Sequence, residues 1–105
     1  MRFQEFGSNQ HPVVLMLAHN PQQLARDSQF QDLAGAYHMI VPVLPLQAVP
    51  SPDFCREEAD SIARRLAPYG GTIYALCAAA SHWGITRRLL DRADIQAREL
   101  IVESG

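Results

Sequence analysis

The chain has 105 residues, of which 48% are hydrophobic and 19% are charged. This composition is that of one globular domain rather than of a disordered segment. The net charge is −2 at pH 7, so the chain has no basic field for phosphates. We therefore expect neither nucleic acid nor an anionic membrane surface as its main partner. All nine basic residues are arginine, which excludes Schiff-base and P-loop chemistry because both need a lysine.

Cysteine content and hydropathy predict a cytoplasmic protein. Cys55 and Cys77 are too few for a disulfide scaffold and do not form a C-x-x-C pair. No window approaches the roughly 20 apolar residues that a membrane-spanning helix requires, and residues 1–7 lack the apolar core of a targeting signal. We expect a single domain over residues 1–105, with no membrane contact, no cofactor and no metal.

Apolar runs in chain order predict the strands of a sheet. Residues 2–6 alternate in polarity and predict a short edge strand. Three later runs, residues 13–18, 37–44 and 72–77, are apolar without alternation. Runs of this kind are typical of strands that are covered on both faces, as in a parallel sheet. Residues 98–103 supply the last strand.

Amphipathic segments between these runs predict the connecting helices. A first helix ends near Gly35, and a third ends near Arg92. The second starts at Ser51-Pro52, because serine caps a helix well and proline suits the first helical position. Its apolar stripe consists of Cys55, Ala59, Ile62, Ala63 and Leu66. The alternation predicts an α/β fold, a mostly parallel sheet of about five strands with helices on both faces.

In such a sheet, ligands bind where parallel strands end at their carboxyl ends, which directs attention to residues 18–22, 44–48 and 77–84. In these segments the order of elements resembles the N-terminal part of an α/β-hydrolase. A His-bearing loop, a Leu-Pro loop and a small-residue elbow follow successive strands, as in that family. The resemblance covers essentially all 105 residues and implies the first part of the family's fold.

The resemblance implies that His19 and Asn20 form an oxyanion or ligand loop. The family carries a His-Gly-Gly type loop there, whose backbone N–H contributes to the oxyanion hole. Here the loop reads His-Asn-Pro-Gln, so the glycines are replaced, and Pro21 has no N–H to donate. The second loop, residues 45–48, also lacks glycine, and we expect Gln47 at the pocket rim.

The family's nucleophile elbow, G-x-S-x-G, falls on residues 78–84. A gapless alignment puts Ala80 at the nucleophile position, which would make the site inactive. A shift of one residue puts Ser81 there instead, with His82 as an adjacent imidazole. The gapless alignment is favoured because it keeps the apolar stripe of the next helix in register. Ser81 is also suited to cap that helix.

Trp83 lies within the elbow segment and is expected at the pocket rim, where it either fills the pocket or forms a contact surface. The family's acid and catalytic histidine follow later strands, beyond residue 105, so the isolated chain is expected to lack a triad. We therefore expect a hydrolase-related domain that is inactive by itself and serves as a binding module or is completed by another chain. A truncated reading frame without a function is a further interpretation.

An enzyme function is the main alternative. In this hypothesis the chain is a serine esterase or acyl hydrolase that acts on a small ester, with Ser81 as nucleophile and with acid and histidine supplied by a partner. Under either hypothesis the last strand, residues 98–103, is expected to form an exposed apolar edge. We therefore expect a homo-oligomer or a complex with a partner chain.

Overall fold

The computed structural model describes residues 2–17, 26, 28–43, 51–79 and 82–103. Within these ranges five strands form one sheet, in the spatial order β1-β3-β2-β4-β5. The strands are β1 (Arg2–Phe6), β2 (Val13–Leu17), β3 (His38–Val43), β4 (Thr72–Ala79) and β5 (Gln96–Glu103). The helices are α1 (Ser28–Ala36), α2 (Pro52–Leu66) and α3 (Trp83–Leu90), and a short 3-10 turn (Ala67–Tyr69) follows α2.

The sheet is mostly parallel, as the sequence predicts. β2 is parallel to both β3 and β4, and β4 is parallel to β5. Only β1, at one edge, runs antiparallel to its neighbour β3. Proline is accommodated near the end of β3, where Pro42 lies opposite Phe3 of this edge strand.

Helices cover both faces of the sheet, which explains why β2 is apolar without alternation. Val13, Leu15 and Leu17 belong to the core that contains the buried residues of α2 and α3. Val14 belongs to a second core, on the opposite face, which Phe30 of α1 joins. Successive residues of a strand point to opposite faces, so every position of β2 meets an apolar layer.

Helix α2 begins and packs as the sequence predicts. The Ser51 hydroxyl accepts a hydrogen bond from the Phe54 backbone N–H at 3.1 Å, and Pro52 occupies the first turn. The buried stripe of the helix is Cys55, Ala59, Ile62, Ala63 and Leu66. No helix in the described ranges is both long and apolar enough to cross a bilayer.

Helix α3 is shorter than expected, and β5 begins earlier than expected. α3 ends at Leu90, and β5 starts at Gln96 rather than at Arg98. The early start follows from a backbone bond, because the Gln96 N–H donates to the Gly71 carbonyl at 2.8 Å. This bond brings the first residues of β4 and β5 into parallel register, with Thr72 opposite Gln96.

Candidate active-site edge

Three parallel strands end at the same edge of the sheet. The registers place Leu17 of β2 beside Ala78 of β4, and Leu15 beside Ile40 of β3. The carboxyl ends of β2, β3 and β4 therefore lie at one edge of the sheet, where the connecting segments after each strand begin. This is the edge at which α/β sheets bind ligands.

Most of the candidate site residues fall in those connecting segments. His19, Asn20, Gln47 and Ser81 lie outside the described residues, as does Ala80. Their roles, and the choice between Ala80 and Ser81, stay predictions. The structure describes the strand ends that precede these residues, at Leu17, Val43 and Ala79.

His82 lies at the start of α3 and is buried. Its backbone carbonyl accepts a hydrogen bond from the Thr86 hydroxyl at 2.9 Å, one helical turn later. His82 also occupies the N-cap position, where it makes no side-chain capping bond. The structure thus places His82 one residue closer to the helix than Ser81, inside the protein rather than on its surface.

Trp83 is the first residue of α3, and its side chain is 46% exposed. A half-exposed indole does not fill an enclosed pocket. Of the two roles that the sequence suggests, this exposure fits a contact surface, while the position at a pocket rim stays a prediction. Cys77, near the end of β4, is buried in the core on the α1 face.

A surface cleft of about 460 Å³ separates the first turn of α2 from α3. It is lined by Pro52, Cys55, Gly84, Arg87, Arg88 and Asp91. Gly84 allows the two helices to approach closely, since a Cβ there would lie 2.9 Å from the Cys55 Sγ atom. Both arginines are exposed, and Asp91 lies beside them, so the cleft has a mixed-charge wall.

Arginine pairs attach the segment after α3 to its surroundings. Arg92 donates to both carboxylate oxygens of Asp94, at 2.8 and 3.0 Å, and also to Asp60 of α2. The Arg92 hydrogen bonds lower the pKa of Asp94 below its usual value. These groups fix the loop that leads into β5, and the described residues contain no group of three or more side chains able to hold a metal ion.

The sequence did not predict a polar cluster that lies at the other end of the sheet, where β3 begins. His38 Nε2 lies 2.9 Å from Glu5 Oε1, and Arg65 donates to Glu5 Oε2. The signal for it was a histidine at the start of an apolar run and a glutamate in an alternating strand. Neither residue type is unusual in its segment, and only the β1–β3 pairing brings them together.

Comparisons with known proteins give a match in structure. No protein-family model matches the chain, and no curated protein sequence matches it. The chain is similar to the crystal structure of an alpha/beta hydrolase family protein from Desulfitobacterium hafniense, with a TM-score of 0.76 and 18% sequence identity. The match covers 99% of this chain and 44% of the other, so the chain spans less than half the length of that protein. The fold of this chain is therefore similar to that of part of an α/β-hydrolase, as the sequence resemblance implies.

Proposed function

We propose that this chain is an α/β-hydrolase-related domain that acts by contact with another polypeptide and is not a complete catalyst by itself. The observation that carries this proposal is the exposed edge strand β5. Its central residues Leu100 and Ile101 are 43% and 44% exposed, although they follow one another in a strand of the sheet. Exposed, long and apolar edge strands are pairing sites.

The two apolar side chains of β5 extend two different core layers. Leu100 lies beside Leu76, which belongs to the core under α2 and α3. Ile101 lies beside Cys77, which belongs to the core on the α1 face. A strand added next to β5 would cover both side chains and continue the sheet on both faces.

The opposite edge of the sheet differs from β5. In β1, Phe3 and Phe6 are partly buried and pack against the two cores, and Glu5 is paired with Arg65 and His38. The large apolar residues of β1 thus point into the protein, whereas those of β5 are half exposed. This asymmetry supports β5 as the contact edge.

Departures from the family's motifs support the lack of independent catalysis. The oxyanion loop contains Pro21 in place of a residue with a backbone N–H. The gapless alignment puts Ala80, which has no hydroxyl, at the nucleophile position. His82, the nearest imidazole in sequence, is buried, where it is poorly placed for exchange of protons with solvent.

The test of the contact edge is the molar mass in solution, measured by light scattering from low micromolar to millimolar concentration. The partner tested is a second copy of the chain. We expect an oligomer that dissociates to a monomer in Ile101→Lys, because a lysine on the edge opposes strand pairing. The matched control is Leu90→Lys, since Leu90 is similarly exposed but lies on α3. A wild-type chain that stays monomeric at millimolar concentration would exclude a second copy as the partner of β5.

The serine hydrolase is the second candidate, and the position of the β4–α3 connection favours it. In this α/β-hydrolase fold, Ser81 falls between a buried strand and the helix that follows it, where the family carries its nucleophile. Intact-mass analysis after treatment with a fluorophosphonate probe tests this candidate. A stoichiometric adduct that is lost in Ser81→Ala and kept in Ser61→Ala would support it. Absence of an adduct would exclude an activated Ser81.

A further inference from the structure

A second groove lies at the amino ends of the parallel strands, on the opposite side of the sheet from the candidate active-site edge. It has a volume of about 500 Å³ and is lined by Glu5, residues 7–9, His38, Arg65 and Tyr69. His38 is the first residue of β3, and the antiparallel register brings the end of β1 beside it. The volume lies within the range of small-molecule sites.

Two donors hold the Glu5 carboxylate at the edge of this groove, and a third donor lies farther away. His38 Nε2 lies 2.9 Å from Oε1, and the Tyr69 hydroxyl lies 3.5 Å from the same oxygen. The Arg65 guanidinium donates to Oε2. The Glu5 side chain remains about one-third exposed, and it lines the groove.

His38 contributes a buried acceptor for which the described part of the chain supplies no partner. The side chain is 3% exposed. A carboxylate can only accept, so Nε2 carries the proton in the bond to Glu5, and in the neutral ring Nδ1 is then an acceptor. Within the described ranges Nδ1 has no hydrogen-bond partner. A buried polar atom without a partner is costly and requires an explanation.

The charges of the cluster cancel, but some of its hydrogen-bond donors and acceptors remain unused. Glu5 and Arg65 neutralise each other, so the groove favours neither a net anion nor a net cation. Arg65 has five N–H groups, of which Glu5 does not use all, and Glu5, Tyr69 and His38 retain acceptor sites. A group that donates and accepts at once matches this set, and a hydroxyl is such a group.

We propose that this groove binds a neutral polyol with adjacent hydroxyl groups, the chemistry of a monosaccharide. One hydroxyl would donate to Glu5 and accept from Arg65, and a neighbouring hydroxyl would donate to His38 Nδ1. The Tyr69 ring packs against the imidazole at 5.5 Å with an interplanar angle of 72°, so the proposal requires this ring to move when the second hydroxyl reaches Nδ1. The site is independent of the β5 edge and of Ser81.

The test is an amide-shift titration of the ¹⁵N-labelled full chain. Glucose, galactose and mannose are added singly, with acetate and methylammonium as charged counterparts. We expect at least one sugar to give saturable shifts of the amides of residues 7–9, together with a change in the ¹⁵N shift of His38 Nδ1. We expect acetate and methylammonium to give weaker shifts at the same amides.

Variants at the groove separate binding from general surface effects. Arg65→Gln and, separately, Tyr69→Phe are expected to weaken sugar binding, the former by about tenfold because a charged donor is lost. Arg64→Gln is the matched control, since Arg64 is the exposed neighbour on α2 and does not line the groove. Tyr69→Phe removes only a hydroxyl and keeps the test valid if Arg65→Gln fails to fold.

Three results would overturn the proposal. The first is no saturable shift with any of the sugars. The second is stronger binding of acetate or methylammonium, which would make the groove a site for ions. The third is equal sugar affinity in the wild type, Arg65→Gln and Tyr69→Phe.

Discussion

Gly71 stands directly against the backbone of Asp94, so that a Cβ on Gly71 would lie 1.9 Å from the Asp94 carbonyl oxygen. Gly71 has a φ of +72°, in the left-handed region, and its carbonyl accepts the bond that starts β5. Gly71→Ala therefore meets both a steric clash and an unfavourable backbone conformation. We expect a loss of about 3 kcal/mol or more in the free energy of unfolding, measured by denaturant titration.

The preceding glycine is the matched control for this substitution. Gly70 has a φ of +76°, but nothing lies within 4 Å of the position of a Cβ. Gly70→Ala is expected to lower the free energy of unfolding by about 1 kcal/mol, the cost of placing alanine in the left-handed conformation. Equal losses in the free energy of unfolding for the two variants would show that the close contact with Asp94 does not add to the cost of Gly71→Ala.

The fold could be predicted from the sequence because each buried segment carries a local pattern of apolar and polar residues. The apolar run that became β2 and the cap at Ser51 both mark their elements without tertiary information. The exact start of β5 could not be predicted from the sequence. It depends on the bond between Gly71 and Gln96, which joins residues that are distant in sequence.

The candidate sites were harder to predict from the sequence, for a related reason. His38 and Glu5 are 33 positions apart, and their contact depends on the pairing of β1 with β3. The elbow differs, because its alternatives Ala80 and Ser81 are neighbours and one shift in register exchanges them. Sequence pattern therefore predicted the strands whose carboxyl ends form the candidate edge, while the site residues in the connections after those strands stay predictions.

Arg92 is expected to stabilise the connection between α3 and β5. It pairs with Asp60 on α2 and with Asp94 in the loop. Arg92→Gln should lower the Tm at neutral pH by about 2–5 °C, since these pairs are partly exposed and screened. Arg56→Gln, which removes an exposed pair with Asp53 within one helix, should change the Tm less. Calorimetry of both variants provides the comparison.

The effect of Arg92 should depend on pH. The pKa of Asp94 is lowered in the folded protein by its hydrogen bonds to Arg92. A lowered pKa contributes stability above the unfolded value, about 3.8, and this contribution is lost as the pH falls through the folded value. The Tm difference between wild type and Arg92→Gln should therefore shrink as the pH falls below about 3.8, the unfolded pKa of Asp94. A difference that is constant into the acid range would contradict this linkage.

Ser51 is expected to account for most of the N-terminal capping of α2. Its hydroxyl accepts the Phe54 N–H at 3.1 Å, and the first turns of a helix otherwise leave such donors without a partner. Ser51→Ala should lower the free energy of unfolding by about 1 kcal/mol. Ser61→Ala, in the middle of the same helix, should cost less, because alanine favours a helix interior. Urea titrations of the two variants would contradict the capping role if Ser61→Ala were the more destabilising.

Glu58 should destabilise the protein at neutral pH. Burial is the main cause that raises its pKa, and the neighbouring Glu57 also contributes. An acid with a raised pKa binds its proton more tightly in the folded state, so stability falls as the pH rises from the unfolded value, about 4.5, through the folded value. Glu58→Gln removes the charge and should stabilise the protein at pH 7 by a few tenths of a kcal/mol, a small gain because the side chain is only partly buried. The gain should vanish below pH 4.5, where Glu58 is protonated in both states, and a Glu57→Gln variant should show a smaller gain. A gain in Glu58→Gln that persisted unchanged in acid would assign the effect to amide packing rather than to the buried charge.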